Sequence, residues 1–112
     1  AGLINYGRSF KKMPRKSYDE FLNKELQATE TAAEYLNAAL ESGPLDEFLV
    51  ALRNVAQAHG GIGELSAVTK LNRQSMYKML SENGNPTLGS LLPLLKALGI
   101  RLSFFPFHKK AA

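Results

Sequence analysis

The sequence contains no cysteine. That absence removes disulfide frameworks, thiolate zinc sites, iron–sulfur ligation and thiol nucleophiles together. With nothing to oxidise, the chain suits the cytoplasm, which is its expected location. No apolar run approaches the roughly 18–20 residues that span a bilayer, and the first residues lack a signal-peptide core, so neither a membrane span nor an export leader is expected. Histidine is scarce: His59 stands beside Gly60 and His108 lies near the other end of the chain. Neither has a sequence partner suggesting a metal pair or a nucleophile–base arrangement, and His59 reads as a cap or cation at a helix C-terminus. Gly60, Gly61 and Gly63 lack the upstream strand and the following Lys-Ser or Lys-Thr of a phosphate-cradling loop. The acids from Asp19 to Glu47 read as helix caps and solvated faces rather than catalytic pairs. No enzymatic activity, cofactor or metal is expected.

What is present fits one globular domain. The 112 residues, 45% hydrophobic and 21% charged, suffice for a single core without staples. The net charge of +4 hides three blocks. Residues 1–16 hold Arg8, Lys11, Lys12, Arg15 and Lys16 with no acid. Residues 17–64 hold nine acids against Lys24 and Arg53, and residues 65–112 hold seven cations against Glu82 alone. A basic half joined to an acidic half suggests a polyanion for one face and a different partner for the other. Met13-Pro14 offers an alternative start; without Arg8, Lys11 and Lys12 the net charge falls from +4 to +1.

Residues 1–16 read as a flexible basic N-terminal arm, 17–105 as one domain and 106–112 as a C-terminal tail. Tyr18, Phe21, Leu22 and Leu26 predict a first helix near 18–28, with Ser17 and Glu20 as a capping box. Thr31 and Glu34 repeat the pattern before Tyr35, Leu36, Ala39 and Leu40, and Gly43 is expected to close that helix in a left-handed conformation. Pro44 suits a first turn, and Leu45, Phe48, Leu49, Leu52, Val55 and Ala56 follow helical spacing to Gly60-Gly61. Short helices are expected over 62–70 and 73–82. A leucine stripe from Leu88 to Leu98 then contains Pro93, where a kink or a loosened turn is expected with Gly89 four residues back. Ile100 to Phe105 alternates apolar and polar residues and reads as one short strand, whose unpaired edge would recruit a second copy through Ile100, Leu102 and Phe104. The alternative is an irregular tail packing Phe104 and Phe105 on the core. The expected fold is therefore mainly α, with five to six helices and one C-terminal strand.

Within residues 62–82, Leu65, Leu71, Met76 and Met79 or Leu80 supply inward positions for two helices crossing steeply at a tight turn, with Asn72 capping the second. The outward face begins Arg73, Gln74, Ser75 and continues to Tyr77 and Lys78. Gln pairs bidentately with adenine, Arg or Lys with guanine, and Ser with a base or a phosphate, while a helix N-terminus favours phosphate. A solvated polar face is the plain alternative for such a helix. The preceding short helix, the tight turn and the local cations favour DNA.

These residues also carry a resemblance. Ala33-Glu-Tyr-Leu-Asn-Ala-Ala-Leu40, Ala58-His-Gly-Gly61, Leu71-Asn-Arg-Gln-Ser-Met-Tyr-Lys-Met-Leu-Ser81, Gly84-Asn-Pro-Thr87 and Ala97-Leu-Gly-Ile-Arg-Leu102 together resemble the addiction-module antidote proteins. These are prophage-type DNA-binding proteins with a phage-repressor-like (Xre-like) helix-turn-helix. The likeness runs from about Tyr18 to Leu102. It implies an antitoxin that represses its own operon as a homodimer on an inverted-repeat operator in double-stranded DNA and pairs with a small basic toxin of the RelE/ParE type. By that pattern Gln74, Ser75 and Lys78 face the groove, Asn72, Arg73 and Tyr77 flank them, and Asn85 approaches phosphate. Two positions depart from it: Lys70 stands where glycine is frequent, which implies either positive φ on a non-glycine residue or a slightly different turn, and Glu64 replaces a frequent glutamine, so that contact is not carried over. The other readings are a prophage-type repressor without a toxin, and a helical interaction module whose working surface is the acidic half and whose helix-turn-helix is vestigial.

Overall fold

A computed structural model of the protein describes residues 14–107. The fold is mainly α, with six helices: α1 (Arg15–Glu25), α2 (Thr29–Ser42), α3 (Leu45–Ala58), α4 (Gly61–Thr69), α5 (Arg73–Met79) and α6 (Leu88–Ala97). Most of the predicted basic arm, residues 1–13, lies outside the described residues, as do His108, Lys109 and Lys110. Arg15 and Lys16, read as the end of that arm, instead form the start of α1.

The centre of the fold is α3, whose Phe48, Leu49, Ala51, Leu52, Val55 and Ala56 are all buried. So wide an apolar surface needs cover on several sides. α1, α2 and α4 pack against it, and α4 in turn packs against α5 and α6. Leu22, Leu26, Leu36, Leu65, Met76, Leu80, Leu94 and Leu98 complete the core, which contains no fully buried polar or charged residue among those described.

The helix ends differ from the sequence expectations for local reasons. Pro14 has φ −60° and its carbonyl accepts the Tyr18 amide at 3.0 Å, so α1 begins ahead of Ser17, which caps nothing. An Arg15–Asp19 ion pair at 3.4 Å spans that first turn. α2 likewise starts at Thr29, with the Ala28 carbonyl accepting the Ala32 amide at 2.9 Å, which leaves Thr31 inside the first turn. Gly43 has φ 173°, extended rather than left-handed. The cause is Pro44, which forces the residue before it out of the helical region. Pro44 itself sits one place before the first helical residue, and its carbonyl takes the amides of Glu47 and Phe48. The short helix expected over 73–82 ends at Met79, and α6 continues through Pro93 without interruption.

No strand forms over 100–105 or elsewhere among the described residues. α6 ends in a Schellman arrangement: Gly99 at φ 81° donates to Lys96 O at 3.0 Å and Ile100 to Leu95 O at 2.9 Å. The chain therefore leaves tied to its own helix, with no second strand to pair with. Ile100 and Leu102 are half-buried against the helical core. Phe104, Phe105 and Phe107 are 88%, 86% and 91% exposed, so the alternative of an aromatic tail packed on the core fails as well.

α2 and α3 are joined by a polar tie as well as by leucines. The Asn54 amide donates to Tyr35 Oη at 2.9 Å. Burial pushes the Tyr35 phenol above its ordinary range, and the Asn54 bond pulls it back only partly. The fold thus favours the neutral phenol, so its contribution is complete below about pH 10 and is lost as pH rises through the folded-state value. Urea unfolding at about pH 8 and above about pH 10 should show the native protein losing more stability than Tyr35→Phe over that interval.

Candidate nucleic-acid interface

The surface predicted to meet DNA is built on α4, a three-residue turn and α5. Gly60 (φ 109°) and Gly61 (φ 83°) reverse the chain after α3, a conformation that suits glycine. His59 caps α3, and its ring Nε2 donates to Leu26 O at 2.8 Å, which fastens the end of α1 to this corner. At the far end of α4, Thr69 Oγ1 donates to Leu65 O at 2.7 Å and accepts the Leu71 amide at 3.1 Å. Lys70 adopts φ 64°, as its occupation of a glycine-like position predicts. Its amide reaches Ser66 O at 2.9 Å, closing α4 so that α5 can begin three residues later.

Asn72 then caps α5: its Oδ1 accepts the Ser75 amide at 3.1 Å. The inward side of α5 is Met76 and Met79, with Leu80 following, all buried, and Ser66 Oγ lies 3.3 Å from Met76 Sδ. The outward side is Arg73, Gln74, Ser75, Tyr77 and Lys78, every one exposed. Asn72 is exposed at the start of this face and Asn85 in the turn after it. Lys70 adds a third exposed cation, while Glu64 and Glu82 are exposed acids on the neighbouring backbone. Ile100, Leu102 and Phe104, predicted to pair two copies, lie on the segment after α6, apart from this helix pair in sequence.

Three residues that sequence reasoning missed hold α5 in place. Arg53, on α3, donates from Nε to Leu80 O at 2.7 Å and so clamps the carbonyl end of α5 to the central helix. Its Nη2 is buried with no partner. The available signal was a lone cation flanked at helical spacing by apolar Leu49 and Ala56, in a stretch otherwise acidic. Gly84 is the second: a Cβ there would run into Met79 O and Lys78 O, so the chain leaving α5 passes directly against its last carbonyls. The third is Gly63 on α4, against which the Arg73 guanidinium rests.

Chemically, the exposed face offers an amide, a guanidinium, an ammonium, a hydroxyl and a phenol on one short rigid helix. These groups suit base edges and phosphates, and the face offers no acid of its own. Residues 16–106 match the sequence profile of a family described as "Probable addiction module antidote protein". The chain is also 30% identical over 78 residues to an uncharacterised protein of Haemophilus influenzae, covering 70% of this chain and 79% of that one. No solved structure matches it.

Proposed function

Because the chain belongs to the family of probable addiction module antidote proteins, we propose that it is the antitoxin of a toxin–antitoxin pair, that it represses its own operon, and that α4 and α5 form a phage-repressor-like helix-turn-helix. The observation that supports DNA binding is the outward face of α5, where Gln74 and Lys78 stand exposed on a helix whose opposite side is buried. In this reading Gln74 pairs with adenine, Arg73 and Lys78 meet guanine or phosphate, Ser75 and Tyr77 complete the contact, and Asn72 and Asn85 approach the backbone. The protein works as a homodimer in the cytoplasm, with its two recognition helices about 34 Å apart on an inverted repeat. It performs no catalysis. The toxin, a small basic protein of the RelE/ParE type, meets the acidic helices α1 to α3, on which Asp19, Glu20, Glu30, Glu34, Glu41, Asp46 and Glu47 are all exposed.

Fluorescence anisotropy on DNA from upstream of the protein's own reading frame tests the regulator. Affinity should fall steeply with salt. Lys78→Ala should weaken binding to all sequences and reduce the salt slope by about one, whereas Gln74→Ala should cost about 1–3 kcal/mol and relax sequence preference. The absence of any salt-sensitive complex overturns the regulator. Co-purification of a small basic product of the adjoining reading frame tests the toxin.

A further inference from the structure

An apolar groove of about 460 Å³ opens between α2, the start of α3, α6 and the segment that follows α6. Phe48, Leu91 and Leu95 lie within it, Leu40 and Leu45 at its rim are 52% and 50% exposed, and Ile100 forms part of the near wall. A few residues further on, the same chain holds Phe104, Phe105 and Phe107 out in solvent. Exposed phenylalanines beside an apolar groove mark an interaction surface. We infer that the aromatic tail of one copy, Phe104-Phe105-Pro106-Phe107, seats in the apolar groove of a second copy, and that the exchange is reciprocal about a two-fold axis.

Two observations favour a second copy as the occupant. Ile100, Leu102 and Phe105 already stand along the edge of their own groove, yet Phe105 there and Phe104 and Phe107 on either side of it stay almost fully exposed. The area also suffices. An aromatic side chain buries about 150–250 Å², so three from each copy, with the groove walls they cover, reach the ~1,200–2,000 Å² of a stable interface. Reciprocal exchange about a two-fold axis closes the assembly at a pair, whereas head-to-tail exchange gives larger rings or filaments. This inference rests on the homodimer of the proposed function and replaces strand pairing as the way that dimer is held.

Sedimentation of the full chain over about a 100-fold range of concentration tests it. Two variants alter exposed positions: one combines Phe104→Ser, Phe105→Ser and Phe107→Ser, and the other is Leu40→Glu. Circular dichroism and thermal melting confirm that each remains folded. The native chain should dimerise, and each variant should raise the dimer dissociation constant by at least about 30-fold, as loss of interface anchors does. Mixing the two variants should restore a weaker dimer, because the intact tail of one meets the intact groove of the other. A tail folded into its own groove gives no such rescue and overturns the exchange, as does a native monomer throughout the range or an unchanged dissociation constant in either variant. DNA anisotropy on the same samples separates the two claims. A salt-sensitive complex without a tail-dependent dimer overturns only the exchange, and a tail-dependent dimer without any DNA complex overturns only the regulator.

Discussion

Met76→Ala is expected to destabilise the domain by about 2–5 kcal/mol, a range typical of large-to-small changes at fully buried sites, and to lower Tm by roughly 10 °C or more. Met76 is 0% exposed and is the innermost residue of α5. With only seven residues, the helix has few other anchors: Met79 beside it, Leu80 just after it, and the Arg53 bond. Truncation at position 76 leaves a cavity between α4 and α5 and removes the sulfur that Ser66 Oγ approaches at 3.3 Å. Met76→Leu keeps the volume and should cost less than about 1.5 kcal/mol. Thermal melting of both variants, followed by DNA anisotropy below their melting range, checks the pair. If Met76→Ala melts within a degree or two of the native protein, α5 is not anchored as described.

Gly84→Ala should be nearly as damaging, although it adds a single methyl at a position outside any helix. The added carbon would meet Met79 O and Lys78 O, which are backbone atoms, so no side-chain rotation relieves the contact. Either the 81–87 turn lifts away or the last turn of α5 is displaced, at about 1–3 kcal/mol or more. Displacing α5 would also stretch the 2.7 Å bond from Arg53 Nε to Leu80 O. The consequence should appear in both readouts: a lowered midpoint in urea, and loss of DNA affinity beyond what the unfolded fraction explains. Gly89→Ala is the control, since a Cβ there meets only the Thr87 hydroxyl at 3.8 Å. Equal stability of the two variants would refute the close approach.

What could be read in advance was whatever a few neighbouring residues decide together. The apolar spacing of α3 and the Asn72 cap are settled within one or two turns, and both appear in the fold; the positive φ of Lys70 followed from the family resemblance instead. Helix starts were harder, because Ser17 and Thr31 have the residue pattern of a cap while the backbone carbonyls of Pro14 and Ala28 had already begun each helix. The Ile100–Phe105 alternation has the period of a strand, yet a strand exists only if another lies beside it, and nothing local supplies one. The ties that position α5 were out of reach for the same reason. Arg53 and Leu80 are 27 residues apart, and the clash that excludes a side chain at position 84 depends on how tightly the chain turns after α5. The exposed residues of α5, by contrast, were legible, because burying Met76 and Met79 leaves the positions between them only one way to face.

The shortness of α5 has a consequence for time as well as space. A seven-residue helix has almost no persistence of its own in water, where isolated helices below about 12–15 residues are marginal. It is held by burial of Met76 and Met79 and by two end fastenings, the Asn72 cap and the Arg53 clamp. Gln74 and Lys78 therefore keep their place on the domain only while α5 stays packed on α4 and tied to Arg53 of α3. An excised fragment holding the same side chains would retain their chemistry and lose their arrangement. In this protein the lifetime of the exposed face is the lifetime of the core.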